Sequence, residues 1–474
     1  MERVHKVLVI LVVVLALILA GLAGGFIWYR HNHVTVQEVQ MPKYVTTITL
    51  TSLTQADLIA LDKMPTLEEI NAQGVRDYEL LTELKYRRPG CKIHYTVGLD
   101  GQEFPEDTTE ITLSSLKEQE LSLFQYLPRL EKINAEKCTE YALLQQLRDM
   151  YPQVEVAYTL PICGGSYETD TTTLKLTAPT DEDLALLAFL PGLESVHIVD
   201  PAADPEVFLE TVAAYPHVEF TWETEIAGVH VDNTTTELSF LDIPMTGTED
   251  VGDALAYFPA VEFVDMSNCG IDNEVMAAFR EEKRADYKVV WTVQCGPLAV
   301  RTDEVYFMPV KHKVYYFHDD EAYNLRYCED MVSMDLGHMS LHNLEFVEFM
   351  PHLKYLILAH TTILDISSLS KCKELAFLEI DYTGINDYTP LLECTGLEDL
   401  NLSYTYGDRE VVAQMTWLKN LWWVGAGHKT RLLLQEKLPD THMQFLGKRS
   451  VDGGWRQLQN YYDHRDIMGM EYMD

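Results

Sequence analysis

The hydrophobic and polar positions of this chain follow three regimes. Residues 7–29, VLVILVVVLALILAGLAGGFIWY, carry no charge and are long enough, as a helix, to cross roughly 30 Å of hydrocarbon. Beyond them, a Thr-rich lead followed by alternating apolar residues predicts short strands. Ile48-Thr49-Leu50, Ile111-Thr112-Leu113, Leu174-Lys175-Leu176 and Leu238-Ser239-Phe240 recur at a nearly constant interval, starting at positions 48, 111, 174 and 238. A second apolar pattern follows each at Leu67–Ile70, Leu130–Ile133, Leu193–Val196 and Val261–Val264, two residues after Pro65, Pro128, Pro191 and Pro259. A third is centred on Tyr95, Tyr158, Trp222 and Trp291, with Gly101, Gly165, Gly228 and Gly296 as turn residues behind it. Between the strands, stretches such as 181–190 and 141–151 place apolar residues at helical spacing and stop against Pro191 and Pro152, because proline has no amide proton to donate. Each unit therefore reads strand, helix, strand, helix, strand. No unit can bury its apolar faces alone, so neighbours must stack.

From residue 331 the period shortens to 22. Met331-x-x-Met334-x-Leu336, Leu353-x-x-Leu356-x-Leu358, Leu375-x-x-Leu378-x-Ile380 and Leu397-x-x-Leu400-x-Leu402 repeat, with Leu421-x-x-Val424 one longer step on. Ile363-x-Asp365 and Ile385-x-Asp387, then Leu369 and Leu391, complete the pattern. It resembles the bacterial leucine-rich repeats of the internalin kind. Two departures stand out: Thr361, Thr383 and Thr405 where that family usually has Asn, and Cys372 and Cys394 where it has Leu. The fold class implied is α/β, a leucine-rich-repeat solenoid of stacked short parallel strands with helices or irregular segments on the convex side, plus one N-terminal transmembrane helix.

The expected organisation is a cytosolic tail (1–6), a transmembrane signal anchor (7–29) and a juxtamembrane linker (30–45). Four long repeat-like units (46–300) follow, then an irregular transition rich in aromatic and charged residues (301–330, with Lys311, Lys313, Tyr315, Tyr316 and Phe317). The 22-residue repeats occupy 331–440, and a C-terminal cap over the last repeat's open core occupies 441–474. Arg3 and Lys6 before the apolar run, and Trp28, Tyr29, Arg30, His31 and His33 at its end, suit a helix anchored at both interfaces. The membrane is thus one partner, with the amino end in the cytosol and the rest outside. Cleavage near Gly21-Leu22-Ala23 would instead give a secreted chain.

Composition narrows the function classes. Among 474 residues, 74 are acidic and 36 basic, a net charge of −38, which argues against nucleic acid as a partner because phosphate contacts need clustered Lys and Arg. The 8 cysteines show no paired spacing and no C-x-x-C, so buried free thiols are expected. His338, His342 and Glu345 have metal-like spacing but fall on a turn after a strand, not on one helical face. No phosphate loop, dinucleotide fingerprint or nucleophile elbow occurs, so no cofactor, metal or catalytic residue is expected.

Stacking the repeats leaves the residues between the leucines on the concave side. One column holds Tyr355, Phe377, Asp399 and Trp423, a second Ile357, Glu379 and Asn401, and a third His360, Tyr382, Tyr404 and His428. Aromatics beside acids on a ridged face are a recognition surface for a protein or a glycan. The alternative is a structural spacer or self-assembling envelope component without a dedicated ligand.

Overall fold

The structure, a computed structural model, describes residues 2–314, 316 and 318–470; Tyr315, Phe317 and the last four residues of the expected cap lie outside the described residues. The chain forms two bodies, Met1–Ile198 with Ala202–Phe220, and Val199–Pro201 with Thr221–Asp474. The division falls inside the third long unit.

In the first body, the helix Glu2–Asn32 contains one span long and apolar enough to cross a membrane, His5–Asn32, with none of it buried. The stretch expected as a linker instead carries the end of this helix and a hairpin, His33–Val36 against Val39–Pro42. Two parallel three-stranded sheets follow, Thr47–Thr49, Glu69–Asn71 and Lys92–His94, then Glu110–Thr112, Lys132–Asn134 and Glu155–Ala157. The inward residues Ile48, Ile70 and Ile93 pair across the first sheet, spaced almost as Leu356 is from Leu378. The long unit is therefore built on nearly the short period, with a hairpin added. Tyr95 and Tyr158 are the buried bends where sheet gives way to hairpin. Asp100 and Gly101, at φ 48° and 70°, make the first of these turns, as a two-residue hairpin loop requires. In the next hairpin Gly164, not Gly165, takes the positive φ, because the loop there is longer.

An acid at the third position of the first helical segment ties each of these units to the hairpin before it. Asp57 accepts from the backbone N–H groups of Thr54 and Gln37, the latter at 2.7 Å. Glu120 accepts from Lys117 and Asp100, and Asp183 from Thr180 and Cys163. Each carboxylate caps its own helix and holds the preceding turn.

The second body begins with the hairpin arm Val229–Asp232 and the sheet Glu237–Ser239, Phe263–Asp265 and Lys288–Val290, and adds the hairpin Thr292–Cys295 with Leu298–Arg301. Next comes one seven-stranded parallel sheet: Tyr306–Phe307, Ser333–Asp335, Tyr355–Ile357, Phe377–Glu379, Asp399–Asn401, Asn420–Trp422 and His442–Gln444. Residues 301–330 thus contain the first strand of this sheet.

Leu356, Leu378, Leu400 and Leu421 pair in register and point inward, fully buried. On the far side, short 3-10 turns (Ser367–Lys371, Thr389–Glu393) start where Asp365 and Asp387 accept the N–H groups of Ser367 and Thr389, which explains the Ile-x-Asp spacing. Thr361, Thr383 and Thr405 donate to the carbonyls three residues earlier, at 2.8, 2.7 and 2.6 Å. The thiols of Cys372 and Cys394 reach carbonyls of the preceding coil, Val347 and Leu369.

Candidate functional site

Four successive coils of the second body leave their strands through a left-handed residue that carries a ring. His338, His360, Tyr382 and Tyr404 have φ of 66°, 59°, 53° and 60°. Their backbone N–H groups donate to Ala359, Asp381, Ser403 and Val424 of the next coil, so the sheet ladder continues one step beyond the strands. The in-register repeat then superposes the side chains. The rings stack at centroid distances of 4.7, 4.5 and 4.2 Å, within 23° of parallel. The column ends at Gly425, φ 93°, which offers Tyr404 no side chain to stack on. Tyr382 is 44% exposed and the neighbouring Tyr406 87%. A left-handed residue with a Cβ costs about 1–2 kcal/mol, while each ring pair returns about 0.5–1.5 kcal/mol. With four such residues and only three ring pairs, the strain at least matches the stacking, so the column adds no net stability.

The sheet face beside this rim is covered. Residues 445–468 fold back across it, and Trp455, fully buried, lies 4.8 Å from the Phe377 ring and 5.3 Å from Trp422. Its indole N–H donates to Glu379 at 2.6 Å, and the Arg456 guanidinium pairs with the same carboxylate at 2.7 Å. The Asn460 amide reaches Asp399, and His464 Nδ1 sits 2.7 Å from Ser333 Oγ. Burial pushes the Glu379 carboxyl up to about 8 against the pull of Arg456, with Asp381 adding to the rise. Burial, reinforced by Arg456 and Arg465, pushes the His464 imidazole down to about 3. Asp399 and Asp335 are also raised by burial.

No family model and no curated protein sequence matches the chain. Among solved structures, an internalin (InlF) of Listeria monocytogenes is 11% identical, over 87% of this chain and 91% of that one, with a TM-score of 0.24. A leucine-rich-repeat protein of Leptospira interrogans is 11% identical, over 84% and 93%, at 0.20. The ectodomain of the Arabidopsis thaliana receptor kinase GASSHO1, in complex with CASPARIAN STRIP INTEGRITY FACTOR 2, is 11% identical, over 85% and 40%, at 0.25. What decides the matter is the coil itself: one three-residue strand in each, in parallel register with the next, its leucine turned inward. These coils are leucine-rich repeats.

The repeats correct the expected concave site. Tyr355, Ile357, Phe377, Glu379, Asp399, Asn401 and Trp423 are all 8% exposed or less. Six of them face the sheet side as expected, but the C-terminal segment lies over them rather than over the open end of the last repeat. Trp423 is not in the column at all. The step from the fifth strand of this sheet to the sixth is one residue short rather than longer, so Asn420 pairs with Asp399 and Trp422 with Asn401, and the Trp423 indole donates into the coil to the Thr405 carbonyl. The same shortening puts Gly425 at the rim and leaves His428 to open the helix His428–Lys437. Of the expected site residues, His360 and Tyr382 lie on the open rim, which His338 extends, and Tyr404 closes it half-buried, its hydroxyl 3.5 Å from the Lys448 carbonyl of the covering segment.

His338 and His342 diverge, the latter pairing with Asp319 at 3.4 Å, and no cluster of three metal-ligating side chains occurs among the described residues. Trp455, Arg456 and His464 carried one sequence signal, an aromatic-rich stretch after the repeats end, but nothing in their spacing fixed where they dock.

Proposed function

We propose that this chain is a membrane-anchored, extracytoplasmic leucine-rich-repeat protein that works as a non-catalytic protein-binding module through the aromatic rim His338–His360–Tyr382–Tyr404. The single observation that carries the reading is the rim itself: four bulky rings held in strained backbone positions, adding little stability, with one side open to water. Glycine or asparagine would fill those positions at lower cost. Rigid aromatic rings supply contact area with little entropy to lose on binding. The apolar helix near the amino end supplies the anchor, and the surplus of 38 negative charges favours a basic partner whose attraction fades with salt.

The test places a photoreactive aromatic residue at position 382 in cells, with position 86, another highly exposed tyrosine, as the control. The expected result is a protein adduct specific to position 382 that Tyr404→Ala reduces at least fivefold. Adducts no different from those at position 86 would overturn the placement.

A further inference from the structure

The two faces of the large sheet in the second body are equally dry but differ in chemistry. The inward face presents Met334, Leu356, Leu378, Leu400 and Leu421, all fully buried. The opposite face is mixed: Tyr355, Ile357, Phe377 and Trp422 form an apolar cluster with Trp455, and among and beside them lie Ser333, Glu379, Asp381, Asp399, Asn401 and Ser403, each no more than 2% exposed. Asp381 Oδ1 has no hydrogen-bond partner there. Carboxylates buried beneath a permanent cover cost stability, and apolar residues of similar volume would serve at least as well. A face that must also meet water when uncovered has reason to stay polar.

The cover is a short run of chain. Residues 446–468 are joined to the last repeat through Gly447, Gly453 and Gly454, the last two at φ 78° and 99°, and Leu446 in this connection is 68% exposed. The run inserts one indole between Phe377 and Trp422, sets two charge-assisted hydrogen bonds on the one carboxylate of Glu379, and adds side-chain contacts at Asp399 and Ser333. A fully buried indole, apolar flanks from Val451, Leu458, Tyr461 and Ile467, and hydrogen bonds to Glu379 and Asp399 describe a peptide seated in a groove.

We propose that the sheet face between Ser333 and Trp422 is a peptide-binding groove that residues 446–468 occupy as a displaceable segment. The partner it fits is a protein segment presenting an adjacent tryptophan and arginine, the chemistry of Trp455–Arg456. This groove adjoins the rim, where the Tyr404 hydroxyl lies 3.5 Å from the Lys448 carbonyl of the segment, but its test reads the peptide alone and does not depend on the rim reading.

The probe is a labelled synthetic peptide of residues 446–470, titrated against the full chain and against the full-length double variant Trp455→Ala/Arg456→Ala. In the unaltered chain the resident segment competes at high effective concentration. The peptide is therefore expected to bind the double variant at least tenfold tighter than the unaltered chain. A peptide with both residues replaced by alanine, or a further Glu379→Gln change in the protein, should each weaken binding at least tenfold. Binding to neither protein, or equally to both, would overturn the proposal. Should the double variant fail to fold, hydrogen exchange on the unaltered chain decides. Amides of Gln459–Ile467 must exchange at least a hundredfold faster, relative to their intrinsic rates, than those of Phe377–Glu379 and Asp399–Asn401. Segment and sheet opening together would mean that the segment is ordinary core.

Discussion

Tyr382 and Trp455 are both large aromatic residues set beside the same strand, and the structure assigns them opposite energetic weights. Tyr382 sits at φ 53° with its ring between those of His360 and Tyr404. Tyr382→Gly removes two stacking contacts and relieves the left-handed strain, effects of about 1–2 kcal/mol that act against each other. Urea unfolding should therefore place this variant within about 1.5 kcal/mol of the unaltered chain. Trp455→Ala, by contrast, empties a site lined by Phe377 and Trp422 and should cost about 3–5 kcal/mol. A loss above about 3 kcal/mol for Tyr382→Gly would make the rim a structural rivet and remove the reason to treat it as a contact surface. At this scale the sequence is a partial guide. The threonines at positions 361, 383 and 405 could be assigned to the turn from their place in the repeat, and their hydroxyls do cap their own coil. That the thiols of Cys372 and Cys394 link one coil to the next was not legible, since it depends on which carbonyl the curvature brings near.

Among elements, the covering segment is the one whose hold depends on pH. Glu379 faces Arg456, Asp381 and the Trp455 indole, and burial raises its pKa above the ordinary 4.5, with Arg456 opposing the rise and Asp381 adding to it. A carboxyl raised in this way favours the covered form below its ordinary value, and that preference is lost as pH climbs toward 8. His464 faces Ser333, Arg456 and Arg465 and stays neutral down to about 3, against an ordinary 6.5. Its depressed value favours the covered form above 6.5 and weakens it as pH falls. Between roughly pH 4.5 and 6.5 the two slopes oppose each other; above that the His464 contribution is complete and the raised carboxyls, Glu379 first, give a net fall as pH rises. Protection of the Gln459–Ile467 amides, corrected for intrinsic exchange, should fall as pH rises from 6.5 to 8. Unchanged protection would show that Glu379 is ionised under the segment, with Arg456 holding it so. The strand-and-helix alternation could be read because each repeat states its period several times over. This segment could not: it occurs once, has no periodicity, and its position is set by a groove that exists only after the repeats have stacked. A one-residue shortening of the step from the fifth strand to the sixth, enough to exchange Trp422 for Trp423, was hidden for the same reason.

For the whole molecule, the apolar helix and the negative charge carry the reading of where the protein works. Cells exposed to external protease should lose residues beyond about 45 while mass spectrometry recovers an amino-terminal fragment that still contains residues 7–29. A chain beginning near residue 24 would mean a cleaved signal and a secreted protein, and full protection would place the repeats inside. The long units were visible as a recurrence of whole blocks, yet their composition, two further coils on nearly the short step plus a hairpin, was not, because the alternation of a hairpin strand resembles that of a coil strand. The carboxylates of Asp57, Glu120 and Asp183 grip the turn of the hairpin before them, and the residues they grip are Gln37, Asp100 and Cys163. Those three share no side-chain chemistry; the bond asks only for a backbone amide. A duplicated unit could therefore dock on any neighbour without a matching change in it, so an array of this kind can lengthen by copying one unit and let its surface diverge afterwards.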